Sequence, residues 1–209
     1  MSSLMMHLAV GYRLAERYDV GDRQRFLFGS VIPDAVPKEQ SHFFLFYDNG
    51  TRKTYDLTGF RERYREHMRD GLYLGYYMHL IEDIVFRDYF YHTVGYVPAD
   101  EKLKQLHDDY SVLNGYIIES CGIREIPDVP KGAEKEPLLR EQGIEPAELM
   151  RELREGLKSR IAGRTVWFSR ENADEYLKRA AAVCGEELRA LAGLNSHIRE
   201  KDFSWLKHN

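Results

Sequence analysis

Five side chains that can bind metal ions lie within the first 83 residues of the chain. They are His7, Asp34, His42, His79 and Asp83. The last two are four positions apart in a segment with helical periodicity, which places both on one face of a helix. An imidazole nitrogen and a carboxylate oxygen on one face can bind the same ion. We therefore expect these five side chains to converge on a metal site.

Each of the five also has an ordinary structural explanation. A histidine on an apolar helix is usually a core residue, and an aspartate after a proline usually belongs to a turn. A histidine and an aspartate four positions apart can simply share a hydrogen bond. Asp83 favours the metal, because an unpaired carboxylate in an apolar helix is costly to bury and a cation offsets that cost. Asp109, on a later predicted helix, is a candidate additional ligand.

The elements that position these residues are predicted to be almost entirely helical. Apolar residues repeat at helical spacing, or caps and prolines delimit helices, over residues 3–17, 22–30, 59–92, 100–120, 146–157 and 171–192. Residues 31–58 are expected to form a long irregular loop that carries Asp34 and His42, and residues 123–144 an exposed excursion. At most one hairpin is expected, near residues 123–130. We therefore predict a single domain over residues 1–209 that is an all-α helical bundle.

Composition narrows the class of protein. The chain has 209 residues, 43% of them hydrophobic, which is enough for one sizeable core. No apolar run approaches the roughly 20 residues that span a membrane, and no apolar export segment begins the chain. The formal net charge of −4 gives no basic field for nucleic acid, which makes a nucleic-acid partner unfavourable. Cys121 and Cys184 are isolated thiols, so we expect a cytoplasmic location.

Four short segments around the candidate ligands resemble the zinc-dependent phospholipase C family, which is related to the S1/P1 nucleases, in its intracellular uncharacterised branch. These segments are Met6–Leu8, Phe28–Ala35, Ser41–Phe43 and Leu74–Ile84. The resemblance covers about residues 4–92, and beyond them only the helical character is shared. It implies a helical bundle of the phospholipase C/P1 nuclease type that binds zinc through the five candidate ligands. It also implies that Asp34 orients the attacking water.

Two departures from the family pattern limit the expected number of ions. No histidine of the chain has a glutamate four positions later, so the second ligand pair of the family is missing. The processed N-terminal amine that secreted members use as a ligand is also not expected here. We therefore expect one zinc ion or two, with manganese, iron and magnesium as alternatives.

Together these features predict a metal-dependent phosphoester hydrolase that uses a metal-activated water, with Asp34 as the catalytic base. Lys38, Arg52 and Lys53 flank the predicted loop and are candidates for binding the substrate phosphate. The expected substrate is a small-molecule or lipid phosphoester, such as a phospholipid or another phosphodiester.

Two alternatives stand beside this prediction. The doublet His107-Asp108 is similar to that of HD-type phosphohydrolases, and Asp128 or Asp174 could supply the downstream carboxylate. In the second alternative, the chain is a non-catalytic binding module stabilised by a structural metal, which the missing ligand pair favours.

Overall fold

Helices form most of the chain, as predicted. The structure, a computed structural model, describes residues 3–97, 99–193 and 195–206. The α-helices of this part are α1 Leu4–Arg17, α2 Arg23–Gly29, α3 Lys38–Ser41, α4 Leu57–Arg63, α5 Gly71–Arg87, α6 Asp100–Ser120, α7 Pro137–Glu141, α8 Ala147–Lys158 and α9 Arg170–Ala192. Short 3₁₀ turns cover Ile32–Ala35, Arg65–His67, Ala133–Lys135 and Glu200–Phe203, and a π turn covers Asp88–Thr93. No helix of the described ranges is long and apolar enough to cross a membrane.

A small antiparallel sheet interrupts the helices where the sequence predicted an irregular loop. Strands β1 Phe44–Tyr47 and β2 Arg52–Tyr55 form a hairpin, and β3 Trp205–Leu206 pairs with the outer half of β2. The turn uses Asp48, Asn49 and Gly50, whose φ angles of 51°, 54° and 82° lie in the left-handed region that Asn, Asp and Gly tolerate best. The predicted hairpin near residues 123–130 was wrong, because that stretch forms neither helix nor strand.

Helix α5 is the centre of the bundle and packs most closely against α2. Two glycines allow this approach: a Cβ atom on Gly75 would lie 2.1 Å from the carbonyl oxygen of Phe26, and one on Gly29 would lie 2.2 Å from that of Leu72. Any larger side chain at either position would force the two backbones apart. The close packing brings the end of α2 within hydrogen-bonding distance of side chains on α5.

Helix α1 covers another side of α5 and is buried along most of its length. Its buried residues run from Met5 to Tyr12 and include His7, which is 0% exposed. Ser3 caps the helix by accepting a hydrogen bond from the backbone N–H of Met6. Helix α9 packs against both α1 and α5, and α8 contacts α1 at Met5.

The segment 123–144, predicted to be an exposed excursion, is instead anchored to the core. Five of its apolar residues are buried: Ile123, Ala133, Leu138, Leu139 and Ile144. The hydroxyl of Tyr12 donates to the carbonyl oxygen of Glu125 at 2.7 Å, and Arg25 forms an ion pair with Glu136 at 2.7 Å. The segment therefore follows an irregular path with exposed charged residues, while its apolar side chains pack against the core.

Candidate metal centre

The structure brings all five predicted ligands together. His79 and Asp83 lie one helical turn apart on α5, and His7 reaches them from α1. Asp34 lies in the 3₁₀ turn Ile32–Ala35, and His42 follows α3 directly. The three histidines and Asp83 are 0% exposed. A cluster of this size inside a protein requires partners for every polar atom.

The atoms that could bind an ion are 3.2–3.8 Å apart in the pairs that make contact. His42 Nε2 lies 3.2 Å from His79 Nε2 and 3.4 Å from Asp83 Oδ2. His7 Nε2 lies 3.5 Å from Asp83 Oδ1 and 3.8 Å from Asp34 Oδ2. Asp34 Oδ1 lies 3.7 Å from the Nε2 atoms of both His42 and His79. Two ligands that each lie about 2.2 Å from one ion are at most about 4.4 Å apart, so these pairs fit a shared ion.

Hydrogen bonds to the Nδ1 atoms orient two of the histidine rings. His79 Nδ1 lies 2.9 Å from the backbone carbonyl oxygen of Ser30, which can only accept, so Nδ1 carries the proton. His7 Nδ1 lies 2.8 Å from a carboxylate oxygen of Glu82, which is buried as deeply as the histidine. Histidines that bind metals in proteins usually donate their second N–H in this way. The arrangement leaves Nε2 of each ring for the centre.

The ring of His42 is held in a similar manner. Its Nδ1 lies 2.8 Å from the hydroxyl oxygen of Ser41, and that hydroxyl donates to the carbonyl oxygen of Pro37 at 3.4 Å. With Nδ1 protonated in both rings, the Nε2 lone pairs of His42 and His79 would face each other at 3.2 Å. Such lone pairs repel unless a proton or a cation lies between them. A divalent ion therefore suits this set of ligands.

The protonation states favoured by the surroundings also suit a cation. Burial lowers the pKa of His79 well below its ordinary value and lowers that of His42, so both rings are neutral at neutral pH. Burial alone would raise the pKa of Asp83, but the ammonium group of Lys38 holds it well below its ordinary value. Neutral imidazoles and an ionised carboxylate are the forms that bind metal ions.

Glu82 belongs to this centre, although the sequence analysis did not single it out. Its Oε2 atom contacts His7, while its buried Oε1 atom has no hydrogen-bond partner within the described residues. Burial raises the pKa of Glu82 to about 7. Burial would lower the pKa of His7, but the hydrogen bonds that its ring donates to Asp83 and Glu82 raise it from 6.5 to about 9. Without an ion, the proton of the pair therefore stays on His7.

These shifts predict that the chelated protein loses stability as the pH rises from 7 to 9.5. The pKa of His7 is higher in the folded state than its unfolded value of 6.5, so its contribution is full below pH 6.5 and is lost as the pH passes about 9. A shift of this size is worth at most roughly 3 kcal/mol. His42 and His79 do not titrate in this window, since burial keeps them neutral in the folded state and the unfolded rings are already deprotonated.

The measurement is thermal unfolding against pH, with and without chelator. Addition of the metal should remove most of the dependence, because an ion bound to His7 replaces the proton. A chelated protein equally stable at pH 7 and pH 9.5 would contradict the assignment.

Asp34 connects the buried cluster to the surface. Its side chain is 18% exposed, whereas those of the three histidines and Asp83 are 0% exposed. It lines a cleft of about 510 Å³ that runs between α1, the turn that holds Asp34, α6 and α8. Leu4, Leu106 and Tyr110 give the cleft apolar walls, and Lys38 lies at its inner end. Water and a substrate can therefore reach Asp34 first.

The three candidate phosphate-binding residues lie in different surroundings. Lys38 contacts Asp83 and lies 3.5 Å from Asp34, so it is part of the centre. Lys53 lies near the cluster in the hairpin, with its Nζ atom 4.3 Å from the centroid of the Phe44 ring. The guanidinium of Arg52 donates hydrogen bonds to the hydroxyl and carbonyl oxygens of Ser204, next to β3, and not to a residue of the centre.

Asp109 does not lie with the ligands, and its prediction as an additional ligand is corrected here. Its carboxylate accepts three backbone N–H hydrogen bonds of 2.6–2.8 Å, from Val166, Trp167 and Phe168. These bonds satisfy both carboxylate oxygens and fix the segment that precedes α9. Its 2% exposure therefore has a structural explanation.

The HD-type alternative finds no cluster of its own in the described part of the chain. His107 and Asp108 are exposed on α6, and Asp128 and Asp174 are exposed elsewhere. Two groups of metal-capable residues occur among the described residues, and both belong to the centre: one joins His7, His79 and Asp83, the other Asp34, His42 and His79. His107 instead lines the cleft outside Asp34.

Comparisons of the chain with protein-family models, curated proteins and solved structures gave no match. A function can therefore be inferred only from the geometry and chemistry of the centre and from the short motifs around its ligands.

Proposed function

We propose that the protein is a metal-dependent phosphoester hydrolase whose ion, in the first instance zinc, is bound by His7, Asp34, His42, His79 and Asp83. One observation carries the proposal. The Nε2 atoms of three buried histidines face two carboxylates, while each Nδ1 atom already has a hydrogen-bond partner in the protein. The overlap of two ligand groups at His79 is compatible with one ion or two.

The role of each residue follows from how exposed its side chain is. A divalent ion bound here would supply Lewis acidity and lower the pKa of a coordinated water. Asp34, the ligand that reaches the cleft, is positioned to orient that water and accept its proton. Lys38, which lies 3.5 Å from Asp34 and lines the same cleft, can bind a phosphoryl oxygen of the substrate and stabilise charge that develops on it. His42 and His79 are neutral at neutral pH and can bind the ion, whereas His7 would exchange its proton for the ion.

The short motifs around the ligands support a phosphoester as the substrate. Their resemblance to the zinc-dependent phospholipase C family, in its intracellular branch, agrees with the three-histidine, two-carboxylate centre. The apolar walls and the lysine of the 510 Å³ cleft suit a phosphate joined to a partly apolar group. Phospholipids, other phosphodiesters and small phosphomonoesters are the candidate classes.

The test combines elemental analysis with hydrolysis. We expect the purified protein to contain zinc, manganese, iron or magnesium. It should hydrolyse at least one of a model phosphodiester, a phosphomonoester or a short-chain phospholipid. Chelation should abolish turnover, and the matching ion should restore it. A metal-loaded protein that turns over none of these substrates would refute the hydrolase proposal.

One observation favours the alternative, a non-catalytic module with a structural metal. The ammonium group of Lys38 already contacts Asp83 and lies 3.5 Å from Asp34, so it is engaged with proposed ligands rather than with a substrate phosphate. In this alternative the ion would stabilise the fold without turnover. Bound metal, a large stabilisation by that metal and no hydrolysis would together support it.

A further inference from the structure

Arg87 extends the row of functional side chains on α5 by one more turn. His79, Asp83 and Arg87 follow one another at intervals of four residues, so all three lie along the same face of the helix. Arg87 is the last residue of α5, and the π turn Asp88–Thr93 follows it. Its side chain therefore projects beside the metal centre rather than away from it.

Aromatic rings hold the guanidinium of Arg87 in place, and no carboxylate of the described residues forms an ion pair with it. Its Cζ atom lies 4.2 Å from the ring centroid of Trp205 and 4.7 Å from that of Tyr91. Its Nε atom is buried, and none of the described residues accepts a hydrogen bond from it. A buried donor without an acceptor is costly. An oriented guanidinium of this kind is suited to bind the two oxygens of a phosphate or a carboxylate.

A second cleft, of about 280 Å³, joins Arg87 to the metal centre. Three cationic side chains line it, those of Lys38, Lys53 and Arg87, against one acidic residue, Glu39. Lys38 also contacts Asp83, so one cation of the cleft lies against a proposed metal ligand. Several positive charges around one small cleft raise the local concentration of anions.

Packed aromatic side chains form the walls of this cleft. Tyr55 and Trp205 line it with their rings 5.2 Å apart, and the hydroxyl of Tyr55 donates to Asp83 at 3.3 Å. Phe44 completes the aromatic wall, beneath the ammonium group of Lys53. The cleft on the other side of Arg87, of about 320 Å³, sets Asp88 and Asp202 against Arg52 and Arg87, so its charges balance and it is less favourable for an anion.

We propose that Arg87, with Lys53, forms a subsite that binds a second anionic group of the substrate, a phosphate or a carboxylate. This inference rests on the proposed function, because the first phosphate would lie at the metal centre beside Lys38. It narrows the substrate class to phosphoesters that carry a further anionic group on a short linker.

Binding of non-hydrolysable phosphonates to the metal-loaded protein tests the subsite. The probes are an alkylphosphonate, the diphosphonate of the same chain length and the matching carboxyalkylphosphonate, each over a series of short chains. At the best length, the two doubly anionic probes should bind about tenfold to hundredfold more tightly than the alkylphosphonate in calorimetric titrations. Whichever of the two binds more tightly identifies phosphate or carboxylate as the second group.

Three variants make the test specific. Arg87→Met should remove most of the preference and change the affinity for the alkylphosphonate less than about twofold, since only the second group contacts Arg87. Arg87→Lys keeps the charge but loses the planar donor group, and should retain part of the preference. The control is Arg170→Met, because the guanidinium of Arg170 also lies over an aromatic ring, that of Tyr116, but is exposed and distant in sequence from the centre. It should retain the full preference.

Two results would overturn the subsite: equal affinity of wild type for singly and doubly anionic probes at every length, or a full preference in folded Arg87→Met. Unchanged thermal unfolding would show that this variant is folded. The hydrolase proposal fails separately. A metal-loaded protein that prefers doubly anionic probes but hydrolyses no phosphoester would support the subsite and refute the hydrolase proposal. Turnover of a phosphoester without this preference would support the hydrolase and refute the subsite.

Discussion

Asp34→Asn should lower metal-dependent phosphoester hydrolysis by about 10² to 10⁴-fold, the usual effect of removing a general base. The amide oxygen can still bind an ion but does not accept a proton at neutral pH. The fold should persist, because Asp34 lies in a short surface turn and its side chain is 18% exposed. Of the proposed ligands, this is the one whose change should separate catalysis from metal binding.

The measurement is turnover per bound ion, with the metal content of wild type and variant determined on the same samples. Asp108→Asn is the matched control, since Asp108 is an exposed aspartate on α6 outside the metal-capable groups. It should hydrolyse the substrate as fast as wild type. Turnover unaffected by Asp34→Asn would reject the assignment of the base. A loss confined to Asp108→Asn would favour the HD-type alternative.

Helical periodicity was sufficient to predict most of the elements and part of the centre. His79 and Asp83 share a face because α5 is regular over its full length, which any four-residue spacing in a helix guarantees. His7 was expected on the buried stripe of α1, and it lies there. Asp34 and His42 were placed together only through their motif context, since no periodicity relates a turn to a distant helix.

The partners of these ligands could not be predicted from local sequence. Glu82 contacts a residue 75 positions earlier, and the Ser30 carbonyl that holds His79 is 49 positions away. Both contacts depend on how closely α1 and α2 approach α5, which is a property of the packed bundle. Glu82 is a carboxylate in an apolar helix, like its neighbour Asp83. The cost of burying an unpaired carboxylate, which drew attention to Asp83, applies equally to Glu82.

Errors in the prediction have the same origin. Asp109 is a buried carboxylate, but the three backbone N–H groups that donate to it lie in a loop about 57 residues later in the chain. The turn Asp48-Asn49-Gly50 carries a hairpin signal, and the segment predicted as an irregular loop forms a hairpin around it. Residues 123–144 are polar on average, but their few apolar side chains are the ones that pack.

His79→Ala and Asp83→Ala should each remove the metal and, with it, the stabilisation that the metal provides. An ion that binds only the folded state contributes about 4 kcal/mol when its concentration is a thousand times its dissociation constant. For a domain of about 200 residues, this corresponds to roughly 8–16 °C in the unfolding temperature. Chelator should therefore lower the unfolding temperature of wild type by this amount and leave both variants unchanged.

The variants should also be less stable than chelated wild type, for different local reasons. His79→Ala leaves a buried cavity and the Ser30 carbonyl oxygen without its donor, at a cost of about 2–5 kcal/mol. Asp83→Ala removes the carboxylate that faces His7 and Lys38, and loss of one partner from a buried ionic contact costs about 3–5 kcal/mol. The intrinsic loss and the metal-dependent loss are separated by measuring each protein with and without chelator.

Two exposed residues of α6 provide the controls that decide between the metal centres. His107→Ala and Asp108→Ala remove side chains outside both metal-capable groups, so metal content and the response to chelator should match those of wild type. If these two variants lost the metal while His79→Ala and Asp83→Ala retained it, the ion would be bound by the HD-type doublet. Equal metal content in all five proteins would refute both centres, since neither set of ligands could then be required for binding.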